Sequence, residues 1–312
     1  MDYPYANGVI KAIESRLLDR SKWSKLAKAD KSGFAKALAD IGYGRMTAND
    51  SLEAAVDREM ADFHAMLDEI TPDRKLTDLF FLMEDALNLK LLFKRKKFHA
   101  PTFTDAQVDG SIRFPGLEKA IRDDDFSELD LRTAALLKRI DAKTEDVDAG
   151  RLSALIDQEL FAFAFKSLGR FANETMKTYF QAKADFANLI AIFRMRKLGW
   201  KPDMFHAIYI PGGKYPLAVL DGVFTATTAE AARLLGSEYS DKVSRIVHDQ
   251  TEKRSLAVME TALADLLLDL MDAYKNDAFS IGPIVYYHLE KTREADTVRS
   301  LYARAASDRP AV

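Results

Sequence analysis

The sequence predicts an all-α fold made of three homologous helical domains, and three observations carry that prediction. Apolar residues recur at helical spacing through most of the chain, while the alternation expected of strands is confined to two short stretches. Nine prolines and fourteen glycines in 312 residues are few interruptions for a chain of this length. The third observation is an internal duplication.

At an offset of one hundred residues, Asp57, Glu59, Phe63, Phe80, Asp85, Asn88, Leu89, Phe93 and Lys97 are matched by Asp157, Glu159, Phe163, Phe180, Asp185, Asn188, Leu189, Phe193 and Lys197. Conservative pairs such as Val56 with Ile156, Met60 with Leu160 and Lys94 with Arg194 keep the same offset. A fainter third copy begins at Leu256-Ala-Val-Met-Glu260 and sets Ile284 to Lys291 where Asp-x-x-Asn-Leu stands in the first two. Repeats of this length are small domains, since solenoid repeats run to about 20–50 residues. The expected domains are 1–108, 109–213 and 214–312, with residues 1–25 placed either in the first or against the third.

Taken in order, residues 6–29 read as one amphipathic helix with Val9, Ile13, Leu17 and Leu18 on its apolar face. Ser32 to Ala39 is a short helix stopped by Gly42-Tyr-Gly44, and Asn49-Asp50-Ser51 offers N-caps for a helix over Ser51 to Glu69. Lys75 to Lys97 is expected as one long helix, apolar nearly all round and so buried on more than one side. Pro101 to Gly116 is loop-like. The pattern then restarts with a short helix, a helix over Leu129 to Arg139, and paired long helices over Asp148–Asn173 and Met176–Leu198. Ile210-Pro-Gly-Gly213 marks the second boundary. Beyond it, helices are expected near Thr228–Leu235, Ser240–His248, Leu256–Asn276 and Pro283–Ala305, with Ala207–Ile210 and Leu217–Val219 as the only strand candidates.

Composition limits the function. A hydrophobic fraction of 48% with 30% charged residues is that of a globular protein able to bury sizeable cores. A formal net charge of −3 gives no electrostatic case for nucleic acid. The absence of cysteine removes disulfides and thiolate metal sites and permits a reducing compartment. The opening Met1-Asp2-Tyr3-Pro4 lacks the basic and apolar regions of a signal peptide, so a cytoplasmic location is expected. Leu256 to Met271, the most apolar window, is interrupted by Glu260, Asp265 and Asp269 and cannot span a bilayer alone. Membrane association would therefore run through a partner.

Asp85-x-x-Asn88 and Asp185-x-x-Asn188 each project to one side of an apolar helix. A ligand or ion site would use such residues, and so would a buried hydrogen-bond network that fixes helix register. Duplication favours the network, because a packing solution is copied with its domain. Asp57, Glu59, Asp157 and Glu159 are assigned to it too, with one of each acidic pair expected on the helix facing Asp85 or Asp185. Lys94, Arg95, Lys96 and Lys97, and in the second copy Arg194, Arg196 and Lys197, end long helices, where cations suit the negative end of the dipole. The same cations are candidates for contact with acidic groups on a partner.

Asp123-Asp-Asp-Phe-Ser-Glu128 is the rival signal. Aspartate clusters of this kind hold magnesium diphosphate in all-helical terpene synthases, and Asn276-Asp-Ala-Phe-Ser280 resembles the start of that family's second metal motif. The final Glu of that motif would fall at Ile284, however, and Asp123–Asp125 are expected to cap the following helix. His64, His99, His206, His248 and His288 lack zinc-ligand spacing, and Pro211-Gly-Gly-Lys214 lacks the phosphate-loop pattern.

Tyr3-x-Tyr5-x-Asn7 followed by Ala12-Ile-Glu-Ser-Arg-Leu-Leu18 resembles the opening of the C subunit of A-type and V-type rotary ATPases, the d subunit of eukaryotic vacuolar enzymes. Asp85-x-x-Asn88-Leu-Lys and Asp185-x-x-Asn188-Leu with Arg194-x-Arg196 resemble that family's two long-helix motifs. Ile210-Pro-Gly-Gly213 resembles its second linker, and Tyr287 to Arg299, with Lys291 and Glu294, its C-terminal helix. The resemblance implies a funnel of three helical domains about a pseudo-threefold axis. It implies a non-catalytic central-stalk part between the rotor shaft (subunits D and F) and the membrane proteolipid ring, one copy per complex, serving torque transmission and proton or sodium transport. No cofactor, metal or small-molecule substrate is implied. The loops near Gly42–Gly44, Lys201-Pro202 and Pro211–Tyr215 are candidates for lining either end. A magnesium-dependent terpene-type enzyme and a generic helical scaffold are the alternatives.

Overall fold

The computed structural model of the chain describes residues 2–47, 50–99, 110–144, 147–169, 173–249 and 255–307. All regular structure among them is helical. In chain order the α-helices are α1 (Tyr3–Ile13), α2 (Arg20–Lys28), α3 (Lys31–Asp40), α4 (Leu52–Ile70), α5 (Arg74–Phe81), α6 (Asp85–Phe98), α7 (Phe114–Asp123) and α8 (Leu131–Lys143). They continue as α9 (Ala149–Leu168), α10 (Glu174–Lys197), α11 (Pro202–His206), α12 (Leu217–Thr225), α13 (Thr228–Leu234), α14 (Lys242–His248), α15 (Leu256–Met271) and α16 (Gly282–Ala306). Both strand candidates are corrected: Leu217–Val219 opens α12, and Ala207 and Ile208 form a turn. No helix of the described residues is long and apolar enough to cross a membrane.

The chain forms two compact units, Met1–Thr77 with Met271–Val312, and Asp78–Leu270. The first is discontinuous in sequence, and its core shows why. Leu26, Phe34, Leu38, Ala55 and Val56 from the N-terminal helices bury against Ala295 and Val298 of α16. Full burial of each such large side chain contributes about 1.5–3 kcal/mol.

The single helix expected over residues 6–29 is broken in two. After α1 comes a 3-10 turn over Glu14–Arg16, and α2 starts afresh with Asp19 capping the N–H of Lys22 at 2.9 Å. The break is held open from afar: the backbone N–H of Leu18 donates to Glu294 on α16, 2.5 Å away. Ser51 caps α4 as expected, through the N–H of Ala54 at 3.2 Å. Asp50 instead holds Arg58 and Thr47, and Asn49 lies outside the described residues.

The long helix expected over Lys75–Lys97 is likewise divided, into α5 and α6 with a turn at Leu82–Glu84, so that Asp85 begins a helix instead of sitting in the middle of one. In the second unit α9 packs against α6, α8 and α10, and α10 against α12. Leu152, Ile156 and Leu160 of α9 and Tyr179, Phe180 and Ile192 of α10 are buried there. Asn173, expected to end α9, instead caps α10 through the N–H of Met176 at 2.9 Å. Residues 170–172 and, in the loop expected over Pro101–Gly116, residues 101–109 lie outside the described residues.

Candidate functional site

The two Asp-x-x-Asn motifs build the same device twice within the second unit. Asp85, in the first turn of α6, reaches the start of the segment that leads into α7, accepting from the backbone N–H of Ser111 at 3.0 Å and from its hydroxyl at 2.5 Å. Asp185, in α10, reaches the start of the segment that leads into α12. It accepts from the N–H groups of Lys214 at 2.7 Å and Tyr215 at 3.2 Å and from the Tyr239 hydroxyl at 2.5 Å. Asn188 completes the second clasp by exchanging two hydrogen bonds with the backbone of Ile210, at 2.8 and 2.9 Å.

Glycine is required beside each carboxylate. A Cβ on Gly110 would collide with Asp85, and one on Gly213 with Asp185. Both carboxylates are fully buried, and among the described residues no cation is bonded to either. Burial pushes Asp85 up to about 7 against the pull of the Ser111 and Ile112 hydrogen bonds, and Asp185 up to about 6 against those from Tyr239, Lys214 and Tyr215. Tyr239 is itself held protonated by burial and by the Asp185 charge. The sequence singled out both motifs but not their partners. The signal that could have found them is a glycine lying 25 residues beyond Asp85 and another 28 beyond Asp185.

The expectation that the acidic pairs would join these carboxylates is corrected. In the first copy α4, which carries Asp57 and Glu59, belongs to one compact unit and Asp85 to the other. Glu59 accepts from the N–H of Gly44 at 2.8 Å and pairs with Lys291 at 2.6 Å, and Asp57 lies 3.9 Å from Arg299. In the second copy α9 does pack on α10, yet its acids turn elsewhere: Asp157 to Lys90 of α6 at 2.6 Å, Glu159 to Arg139 and Lys143 of α8, both at 2.5 Å. Burial raises Asp157; it opposes, but does not overcome, the Lys143 and Arg139 contacts that lower Glu159.

Most of the basic helix ends are engaged inside the unit. Arg95 pairs with Glu118 of α7 at 3.1 Å, and Lys96 with Asp124 at 2.9 Å and Asp141 of α8 at 3.1 Å. Arg194 pairs with Glu260 of α15 at 2.8 Å, while Arg196 donates to the carbonyls of Val223 and Ala226 at the C-terminal end of α12. Lys94 is half-buried, Lys97 lies 5.9 Å from the centre of the Phe98 ring, and Lys197 is exposed.

The aspartate run is not a helix N-cap. Asp123 is the last residue of α7 and Asp124 its left-handed C-cap, whereas α8 is capped by Asp130. Its charges are met by cations, Asp123 by Arg122 at 2.8 Å, Asp124 by Lys96 at 2.9 Å and Asp125 by Lys119 at 3.0 Å. Hydrogen bonds from Ser127 and Lys119 hold Asp125 down at about 2.

In the first unit the motifs at the two ends of the chain meet. The Asn7 side chain donates to the carbonyls of Ala278 and Ser280, both at 2.9 Å, and the Tyr287 hydroxyl to that of Ile13 at 3.3 Å. Lys291, 3% exposed, sits between Glu59 and Glu294, 2.6 Å from each. His64 and His288, scattered in sequence, stack with ring centroids 5.7 Å apart.

These contacts fasten helices and linkers to one another within each unit. The family profile described as ATP synthase (C/AC39) subunit matches residues 6–311, and the chain belongs to that family. It is 23% identical to the C subunit of the A-type ATP synthase of Thermococcus kodakarensis and 24% identical to its counterpart in Pyrococcus horikoshii, over 96% of this chain and 85% of each relative. It is 23% identical to the C subunit of the V-type ATP synthase of Thermus thermophilus, over 97% of this chain and 94% of that one.

Proposed function

We propose that this chain is the non-catalytic central-stalk connector of a rotary ATPase, joining the rotor shaft (subunits D and F) to the membrane proteolipid ring so that torque passes from one to the other and ions cross the membrane. The observation that carries this reading is the family match over residues 6–311. The twice-built clasp supports it: a part under torque must hold its helices in fixed register, and close-packed interiors deform little. The repeat domains 1–108, 109–213 and 214–312, and a location peripheral to the membrane through the complex, belong to the same proposal. Lys94 and Lys197 are its partner-contact residues, since Arg95, Lys96, Arg194 and Arg196 are already engaged within the chain and the Lys97 ammonium is buried.

The test is a mild-detergent pull-down of the tagged chain from its host's membranes, with mass spectrometry of what accompanies it. Recovery of shaft subunits and proteolipid with one copy of this chain is expected. Recovery of neither, with turnover of a prenyl diphosphate by the free protein, would sink the connector reading.

A further inference from the structure

Exposed large apolar side chains are scattered singly along the described residues, with one exception. Leu198, Trp200 and Met204 follow closely on one another in the Asp78–Leu270 unit and are 59%, 45% and 47% exposed. They stand at the corner between α10 and α11, and the backbone of that corner is held on both sides. The N–H of Gly199, whose φ of 69° is left-handed, donates to the Arg196 carbonyl at 3.1 Å, and that of Trp200 to the Met195 carbonyl at 3.0 Å. These are the paired bonds that lock a helix C-terminus. Pro202 then opens α11, and Phe205 is fully buried, its ring centroid 6.0 Å from that of Tyr209 and 6.2 Å from that of Phe224. Gln158 of α9 fastens the chain beyond α11, donating to the carbonyls of Ala207 at 3.2 Å and Tyr209 at 2.9 Å. The three apolar side chains are thus left in water by a corner that is otherwise well anchored.

The charges beside them indicate what covers them. Lys197 and Lys201 flank the corner, both exposed and neither in an ion pair or hydrogen bond among the described residues. The preceding cations are spent, Arg194 on Glu260 and Arg196 on the carbonyls of Val223 and Ala226. From Lys197 to Phe205 the only acid is Asp203. A tip of Leu, Trp and Met between two unpaired lysines suits the boundary of a bilayer. There the apolar side chains and the indole sit at headgroup level, while lysine stems carry their ammonium groups to the negative charges.

We propose that this corner docks directly on an anionic phospholipid surface, with Leu198, Trp200 and Met204 entering the headgroup boundary and Lys197 and Lys201 pairing with lipid anions. A protein groove of the same fit would need a carboxylate placed for each lysine, whereas an anionic bilayer presents negative charge across its whole surface. The contact adds to the proteolipid attachment proposed above, with lipid in place of a partner's acid at Lys197, and does not rest on it.

The test uses the purified full-length chain and protein-free vesicles of phosphatidylcholine, alone or with about one third phosphatidylserine. Flotation with the anionic vesicles is expected, with tryptophan emission moving to shorter wavelength, and so is release as salt is raised to about 1 M. Lys197→Gln with Lys201→Gln should weaken binding by about twentyfold. Leu198→Ser, Trp200→Ser and Met204→Ser together should abolish it. Trp200→Phe should lose the emission change and keep the flotation. The variants should melt with the parent chain, since each altered side chain is exposed. Flotation that persists in both multiple variants, that is equal with and without phosphatidylserine, or that is absent with anionic vesicles would overturn the proposal. The last result would leave the connector reading standing, because the vesicles hold no ATPase subunit.

Discussion

Asp85 and Asp185 make the protein's stability depend on pH in a direction opposite to that of most salt-bridged carboxylates. An unfolded aspartate titrates near 3.9, whereas these two are raised to about 7 and about 6 by burial. From about pH 4 up to those values the folded chain keeps protons that the unfolded chain has released. The stability the two groups contribute is therefore complete in acid and is lost as pH rises through about 6 and then about 7. Urea unfolding midpoints should fall between about pH 4 and pH 7, and the fall should be shallower in an Asp85→Asn, Asp185→Asn double variant. A slope unchanged by the two substitutions would show that other groups set it; burial raises Asp157 and Asp296 in the same sense. Lys291 is the opposite kind of residue, a buried cation shared by two acids. Replacing it with Met leaves Glu59 and Glu294 facing each other unpaired, at a cost of about 3–5 kcal/mol, measured by equilibrium denaturation. Adding Glu59→Gln and Glu294→Gln to Lys291→Met should recover much of that loss.

At the scale of the element, the two clasps are loops tied to helices, and the tightness of the tie is testable. Gly110→Ala and Gly213→Ala each drive a methyl group into a buried carboxylate, and each should destabilise by about 1–3 kcal/mol. An alanine tolerated without loss at Gly213 would mean that the Ile210–Tyr215 segment is not held as tightly as described. How much of this was legible in the sequence differs from element to element. Helices α4, α10 and α16 were readable because their apolar spacing is local. The breaks between α1 and α2 and between α5 and α6 were not, since the first depends on Glu294, which lies 276 residues from Leu18. The Asp-x-x-Asn motifs announced themselves by repetition, but their partners are mostly backbone groups of the next linker, which carry no side-chain signature. The basic helix ends looked like contacts for another protein because the acids they meet, Glu118, Asp141 and Glu260, lie on helices further along the chain.

For the molecule as a whole, the connector reading predicts that the chain leaves its membranes as salt is raised from about 0.1 to 1 M, where the screening length shrinks from about 10 to 3 Å. Immunoblotting of washed membranes measures this, and full retention at high salt would exclude contacts through exposed lysines such as Lys197. The first compact unit adds a consequence in time. It is assembled from residues up to Thr77 and from Met271 onward, and α1 is fastened to the opening of α16 by Asn7. During synthesis the ribosome delivers the first part of that unit long before the last. Asp78–Leu270 emerges as an unbroken stretch and can close its own core while the chain is still tethered. The N-terminal helices must wait, unprotected, until the final helix is released. A protease added to stalled chains should therefore cleave ahead of Thr77 at every length that leaves α16 inside the ribosome, and stop doing so only once α16 has emerged.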